Sequence, residues 1–347
     1  MMPSTDGRRP VVLYSDKERL HAPDEEWNFG KIIPYPEKRE RGTNVVGEMR
    51  RCGYGDMLVE TREYDVAFIK AVHDDRMVEH IRSCRELDDG EAVYPHIFPY
   101  RRDSPHLETD MRSAGYFCFD VGTSVTRNTF TSAKAAVDVA LDGAHRLLAG
   151  EQRAVFALCR PPGHHADHAA YGGYCYFNNA AVASHVLAEH GKVAVLDLDF
   201  HHGNGTQGIF YLVSNVLYVS LHGDPRWSYP YFTGFEEERG AHLGEGFNVN
   251  IPLPRDVQMT AYREYLDLAT RRIDDFSPAY LVVSMGFDTF EKDPLGELRL
   301  LSNDYAGIGR LLSDLGPPVL ACLEGGYDMD DLGVNAVRFL EGLYDIA

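Results

Sequence analysis

The chain has 347 residues, of which 44% are hydrophobic and 25% charged, and a net charge of −19. That is ordinary globular composition, enough for one large α/β domain or two smaller ones. The acidity argues against nucleic acid as the main partner, because phosphate binding needs a basic face; it is compatible with a cationic substrate steered by the field, with solubility or adaptation to salt the commoner reading.

No Pro/Ser/Gly-rich linker and no repeat divides the chain, so a single domain spanning 1–347 is expected. No apolar run approaches the roughly 18–20 residues of a membrane span. The opening M-M-P-S-T-D-G-R-R-P lacks a signal-peptide core. The six cysteines (Cys52, Cys84, Cys118, Cys159, Cys175, Cys322) form no C-x-x-C pair. They are expected to be reduced thiols of a cytoplasmic protein without a membrane partner.

Pro10–Ser15 predicts a first strand. Asp16–Gly42 carries Pro23, Pro34, Pro36 and the acidic run Asp24-Glu25-Glu26, and predicts a long loop. Thr43–Cys52 predicts a helix and Asp56–Glu60 a short strand. Val66, Ile69, Val72, Met77 and Ile81 recur at helical spacing and predict a helix over Tyr64–Cys84. Asp88–Gly115 is aperiodic and rich in Pro, Arg and Asp, and predicts a second long loop. Thr131–Gly150 predicts an amphipathic helix, capped by Thr131 or Ser132 and ended by Gly150.

From there strands and helices alternate. Strands are expected at Ala154–Cys159, Val193–Leu198, Asn215–Leu221, Ala279–Met285 and Pro318–Leu323. Helices are expected at Asn179–Glu189, Met259–Phe276, Asn303–Leu315 and Asp331–Tyr344. This alternation predicts a parallel sheet covered by helices, with ligands at the carboxyl ends of its strands. The unusual polar clusters follow strands. His164/His165, Asp199/His201, His222, Asp288 and Tyr327 are therefore aimed at one rim.

The centre of that rim is Lys192–Gln207, K-V-A-V-L-D-L-D-F-H-H-G-N-G-T-Q. Buried carboxylates and imidazoles at a strand end are costly unless something pairs them. Asp199 and His201, two apart, project to the same side and form two-thirds of a metal site with an open position. Asp288, after another apolar strand, fits as a third ligand beside them, with a helix cap or an arginine pair the alternative. Such a set suits Zn²⁺, with Fe²⁺ the alternative. His164-His165 after Pro161-Pro162-Gly163 are acid/base candidates with ordinary pKa near neutrality. Asp197 and Asn204 are candidates to orient the two imidazoles, with a helix cap and a turn residue the equal alternatives. Tyr327, after Gly325-Gly326, can donate to an oxyanion, with a packed ring and a solvated hydroxyl the commoner alternative.

R-P-P-G-H-H (160–165), G-G-Y-C-Y-F-N-N-A-A-V-A (172–183), D-L-D-F-H-H-G-N-G-T-Q (197–207), S-L-H-G-D-P (220–225), G-F-D-T-F-E-K-D-P-L (286–295) and L-E-G-G-Y (323–327) together resemble the histone deacetylase superfamily. Asn204, the G-D-P run, Y-F-T-G (231–234) and R-R-D-S-P (101–105) are most similar to the bacterial acetylpolyamine amidohydrolases and class II deacetylases. The resemblance implies an arginase-like α/β fold with an eight-stranded parallel sheet sandwiched by helices. It implies Zn²⁺ on Asp199, His201 and Asp288. His165 would act as general base and then acid, with His164 its electrostatic partner, Asp197 behind His164 and Asn204 behind His165. Tyr327 would polarise the acyl carbonyl. Gly173, Tyr174, His222, Phe232 and Leu295 would meet the substrate, with Tyr174 and Phe232 as walls and Leu295 at the mouth. A structural K⁺ would sit on Asp197, Asp199, His201, Ser220 and Leu221, and a second monovalent ion near Phe210, Val213, Val216 and Phe247.

The implied activity is removal of acetyl or another short acyl group from a primary amine, most simply of a small acetylated polyamine. A protein acetyl-lysine deacetylase and a catalytically silent metal-binding regulator are the alternatives. The chain departs from the polyamine pattern over Asp110–Thr123, where Arg112 and Gly122 stand near the places of expected glutamates and Glu108, Asp110 and Asp120 are the nearest acids. The acids Asp24–Glu26, Glu108 and Asp110 are expected at the mouth. The 88–115 loop, with Tyr94, Phe98 and Tyr100, is expected to make a homodimer that narrows the entrance.

Overall fold

Val193-Ala194-Val195-Leu196 divides its side chains between two cores: Val193 and Val195 join one apolar cluster, Ala194 and Leu196 the other. A strand buried on both faces needs helices on both faces, and it has them. The computed structural model describes residues 10–99 and 107–346. Its main sheet has eight strands: β1 (Val12–Tyr14), β2 (Leu58–Glu60), β3 (Ala154–Ala157), β4 (Val193–Asp197), β5 (Val216–Gly223), β6 (Asn248–Leu253), β7 (Tyr280–Met285) and β8 (Val319–Leu323). The order is β6-β5-β4-β7-β8-β3-β1-β2, and every pairing is parallel.

One face is covered by helices Thr129–Leu148 and Asn179–Ala188, the other by Glu40–Arg51, Met259–Phe276, Asp304–Asp314 and Leu332–Tyr344. After β4 the chain winds outward through β5 and β6, then returns to lay β7 against the other side of β4. This reversal is a topological switch point, where an α/β sheet opens a crevice at its strand ends.

Several elements differ from the expectations. β6 (N-V-N-I-P-L) was not foreseen; its asparagines and Pro252 suit only an edge, which is where it lies. The expected 16–42 loop is ordered. It contains a short 3-10 turn at Asp16–Leu20 and an antiparallel hairpin, Glu25–Asn28 with Lys31–Pro34. That hairpin turns on Phe29 and Gly30 at φ 46° and 78°, a left-handed pair that usually announces itself as Asn-Gly. The expected Tyr64–Cys84 helix is broken. Asp74 caps a new helix, Asp75–Arg82, by accepting from the Arg76 and Met77 amides, and a separate turn precedes it at Ala67–Lys70. The helix expected from Thr131 starts at Thr129, and Asn204–Phe210, read only as a turn, is helical. In the second loop Ala92–Val93 pairs with Val125–Thr126. Tyr100 and the R-R-D-S-P run lie outside the described residues.

Candidate active site

The polar residues that follow β3, β4, β7 and β8 converge, and each is fixed by a backbone or side-chain donor from a neighbouring strand end. Asp199 Oδ2 accepts from the Gly325 amide at 2.7 Å, and Asp288 Oδ1 from the Phe200 amide at 2.9 Å. The remaining oxygens face His201. Its Nδ1 lies 2.9 Å from Asp288 Oδ2 and 3.3 Å from Asp199 Oδ1. A ligand atom from each of the three lies within 4.8 Å of the others. The approach depends on glycine: a Cβ on Gly325 would lie 2.5 Å from Asp288 Oδ2 and 2.6 Å from Asp199 Oδ2.

The charges show what this cluster is built for. Burial, with Asp199 opposite, pushes the Asp288 carboxyl up to about 8. Against the same burial, His164 and His201 hold Asp199 below the usual carboxylate range. Two buried carboxylates sharing one imidazole cannot both ionise comfortably without a cation between them. A two-oxygen, one-nitrogen donor set of this kind fits a divalent metal with open positions. A second metal-like group, His164, Cys175 and Glu324, also lies within 4.8 Å. Its Glu324 oxygens are already taken by the Gly163 amide (2.6 Å), the His164 amide (3.1 Å) and the Ser284 hydroxyl (3.0 Å), so it braces the histidine loop instead.

The two histidines occupy different electrostatic settings. His164 Nδ1 lies 3.1 Å from Asp197 Oδ2, which also accepts from the Tyr218 hydroxyl at 3.0 Å. Burial opposes its charge, but Asp199 and Asp197 overcome this and push it up to about 10. His165 is lowered by burial and then by His164 and His201. Its Nδ1 lies 2.8 Å from Asn204 Oδ1. An amide oxygen only accepts, so Nδ1 carries the proton and Nε2 is left as a base. Their surroundings push the two imidazoles in opposite directions, which separates an acid role from a base role.

Tyr327 is held from three sides. Its amide donates to Asp293 Oδ2 at 2.6 Å, its ring lies 5.8 Å from that of Tyr174, and the Arg41 guanidinium stands 5.0 Å from its ring centre. Arg41 is fully buried and donates to Gly326 O at 2.7 Å and to Glu324 O. Glu37 Oε1 is shared by Arg41 at 2.7 Å and Arg160 at 2.9 Å, so one carboxylate serves the loop carrying Tyr327 and the loop carrying the histidines. None of Glu37, Arg41, Asp293 and Glu324 was assigned a role from the sequence. The only available signal was a cluster of charges in segments otherwise destined for burial.

A cavity of about 460 Å³ opens over the floor and reaches His165, His201 and Tyr327. Gly173, Tyr174 and Leu295 line it as expected from the resemblance. Phe232 does not: it is 88% exposed, and Tyr229 and Tyr231 line the cavity in its place. Tyr231 adopts φ 67° and the Phe232 amide bonds back to Pro230 O, a tight turn that carries Phe232 outward. His222 does not line the cavity either. It is buried between Ser220 Oγ (2.7 Å) and Gly234 O (2.9 Å). Of the acids expected at the mouth, Asp110 is taken by Arg112 at 2.8 Å, and neither it nor Glu108 reaches the cavity. Asp24 and Glu25 do not line it either; among the described residues the acids that do are Glu26, Asp120 and Glu297. Ser220 and Asp197 are register partners on adjacent strands, and Leu221 is buried beside them. In the second expected ion region, Phe247 O accepts from the Tyr218 amide and Phe210 O from the Val213 amide, with Val216 at the start of β5.

A crevice at the switch point of a parallel sheet, floored by a metal-like triad and a histidine pair, has the parts of a metal-dependent hydrolase. Comparison with known proteins gives the family: residues 35–343 match the histone deacetylase domain, and the chain belongs to that family. It is 39% identical to acetylpolyamine amidohydrolase 2 of Pseudomonas aeruginosa, over 96% of this chain and 98% of that protein. It is 37% identical to the acetylpolyamine amidohydrolase of Mycoplana ramosa, over 96% and 99%. The crystal structure of acetylpolyamine aminohydrolase from Burkholderia pseudomallei matches with a TM-score of 0.91 at 34% identity, covering 96% of this chain and 98% of that one. The fold is the arginase-like fold of the deacetylases, and the protein is a deacetylase of the amidohydrolase type. Family membership implies a catalytic metal, and Asp199, His201 and Asp288 provide groups to hold it.

Proposed function

We propose that the protein removes acetyl, or another short acyl group, from the primary amine of small acetylated polyamine-type substrates. Zn²⁺ would be held by Asp199, His201 and Asp288, with Fe²⁺ the alternative. The observation that carries the substrate reading is Glu26. It is buried in the cavity wall, its Oε2 has no partner, and burial pushes its carboxyl up to about 7 although the Tyr174 hydroxyl and Asn28 amide stand beside it. Its Oε1 accepts from the Asn28 amide at 3.3 Å, and the other oxygen, buried without a donor, favours a cation that arrives with the substrate. Glu297 adds a second acid to the same cavity.

Held there, such a metal would supply Lewis acidity toward the amide carbonyl and would activate water. His165, with Nδ1 committed to Asn204, receives a proton at Nε2 and returns it to the departing amine. His164, held as a cation by Asp199 and Asp197, offsets negative charge developing nearby. The Tyr327 hydroxyl donates to the carbonyl oxygen as it gains charge. Gly173, Tyr174 and Leu295 belong to the substrate channel, together with Tyr229. The same reading includes a structural K⁺ on Asp197, Asp199, His201, Ser220 and Leu221. It also includes a single catalytic domain and a cytoplasmic setting, which the six free cysteines favour.

A homodimer through the 88–115 loop completes the proposal. Phe29, Ile97 and Phe98 are exposed large apolar side chains on the 25–34 hairpin and this loop, a surface that favours a partner. Light scattering on the intact chain should report a dimer, and deletion of residues 90–108 a monomer. The substrate is tested by kcat/KM for N-acetylputrescine beside an acetyl-lysine peptide. The small amine should be preferred, and equal values would overturn the polyamine reading.

A further inference from the structure

We propose that Asp120 is a positioning residue that sets the width of the cavity, and so selects the acyl group, by tying the loop of Tyr174 to Tyr229 through one carboxylate oxygen. The inference rests on the amide-hydrolase reading of this site. Asp120 Oδ2 accepts from the Gly173 amide at 2.6 Å and from the Tyr229 hydroxyl at 2.9 Å. It also accepts from the Thr123 hydroxyl at 3.1 Å, and Thr123 Oγ1 in turn accepts from the Tyr174 amide at 2.9 Å.

These bonds hold a conformation that the chain does not favour by itself. Gly173 and Tyr174 are both left-handed, at φ 57° and 65°, and such a conformation is uncommon for a residue with a side chain. Both amides of this pair are anchored on the Asp120–Thr123 unit. A Cβ on Gly173 would lie 2.3 Å from His165 Cδ2, so the loop already packs against the base and can relax only away from it. On the other side, the Tyr229 ring stands edge-on to His165 at 5.0 Å and lies 6.1 Å from the ring of His201. The Tyr174 ring packs against Tyr327. Two aromatic walls resting on opposing members of the catalytic set are thus tied to one oxygen.

Asp120 is an acid in the cavity, which invites the rival reading that it receives the substrate's cation. Its hydrogen bonds decide against that. The Gly122 and Thr123 amides donate to Oδ1 at 3.0 and 2.8 Å, and Oδ2 has its three donors. A carboxylate offers about four lone-pair sites, so Asp120 is saturated. Glu297 is paired with Arg255 at 2.7 Å, so Glu26, whose Oε2 has no hydrogen-bond partner, is the cavity acid left for a ligand.

The test uses the full-length, zinc-loaded protein and reads the butyryl-to-acetyl ratio of kcat/KM on N-butyryl- and N-acetylputrescine. The same ratio is measured in parallel on the corresponding acyl-lysine peptides. Asp120→Ala should raise the ratio by roughly 10-fold, the scale on which a pocket discriminates by methylene groups. Tyr229→Phe, which deletes one hydroxyl, should raise it less. The double variant should go no further than Asp120→Ala, because both changes act through one oxygen. An unchanged ratio, even with lower turnover on every substrate, overturns the proposal by reducing Asp120 to a structural residue. Effects that multiply in the double variant overturn it as well. If Asp120→Ala does not fold, Tyr229→Phe carries the test alone, and no change in its ratio is decisive. Failure of the polyamine reading is visible separately, as a wild type that hydrolyses only the peptides; the ratio is then read on those.

Discussion

The floor of the site and its mouth are built on different principles. At the floor the protein's own donors fix the functional groups in place: Asp197, Asp199, Asp288 and Glu324 each accept from named backbone or side-chain donors, and His164 and His165 each have an oriented partner. At the mouth they do not. Glu26 keeps an unpartnered oxygen, and Phe29 and Trp27 on the same hairpin are 86% and 45% exposed. Groups already paired hold a fixed geometry, which chemistry needs. Groups left unpaired are available to a ligand, which selectivity needs. Two mouth acids are exceptions: Glu297 is paired with Arg255 at 2.7 Å, and Asp120 is fully bonded and acts there as a strut.

The comparison breaks most sharply if the floor tolerates loss of a member. Asp288→Ala leaves two of three ligands, so metal affinity should fall by orders of magnitude and deacetylation should be lost. Metal analysis of the purified variant checks this, and full occupancy would remove Asp288 from the ligand set. Tyr327→Phe should keep fold and metal content while kcat falls about 10²–10³, the usual consequence of removing one oxyanion donor. Near wild-type turnover would take the tyrosine out of the reaction.

Changes at the mouth should be milder and should depend on the substrate's charge. Glu26→Gln should raise KM for N-acetylputrescine roughly tenfold, about 1.4 kcal/mol, the range of one charge-assisted hydrogen bond. N-butylacetamide, which lacks the distal ammonium, should be unaffected. The Glu26 carboxyl, pushed up to about 7 by burial, is neutral below that pH and ionised above it. The kcat/KM ratio of the cationic to the neutral substrate should therefore climb as pH rises through about 7, and Glu26→Gln should flatten that climb. The smallest effect should be salt. Screening of the net −19 surface and the mouth acids should lower kcat/KM for the cation a few-fold between low and 0.5 M salt. A flat salt profile would mean that the mouth binds the cation without steering it.

The floor was legible because its residues lie within short segments that follow apolar strands. Asp197, Asp199 and His201 are read from one stretch, and Asp288 and Tyr327 from the abrupt end of β7 and β8. The mouth was not legible in the same way. Tyr229 rather than Phe232 became the wall because a left-handed Tyr231 reverses the chain between them. Glu26 reached the cavity because a hairpin formed on Phe29-Gly30 where the composition suggested only a loop. Asp110 failed to reach it because Arg112 lies close enough in sequence to claim it.

The sequence by itself determined the alternation of strands and helices, the parallel sheet, and the gathering of polar residues at its strand ends, since these follow from local periodicity and from the cost of burying charge there. Only the tertiary structure decided which distant carboxylates became struts and which stayed free. Asp120 meets Gly173 and Tyr229, and Glu37 meets Arg41 and Arg160. Apart from Glu37 with Arg41, these partners are distant in sequence, and a partner's availability depends on where separate loops come to rest, a matter that no local pattern encodes.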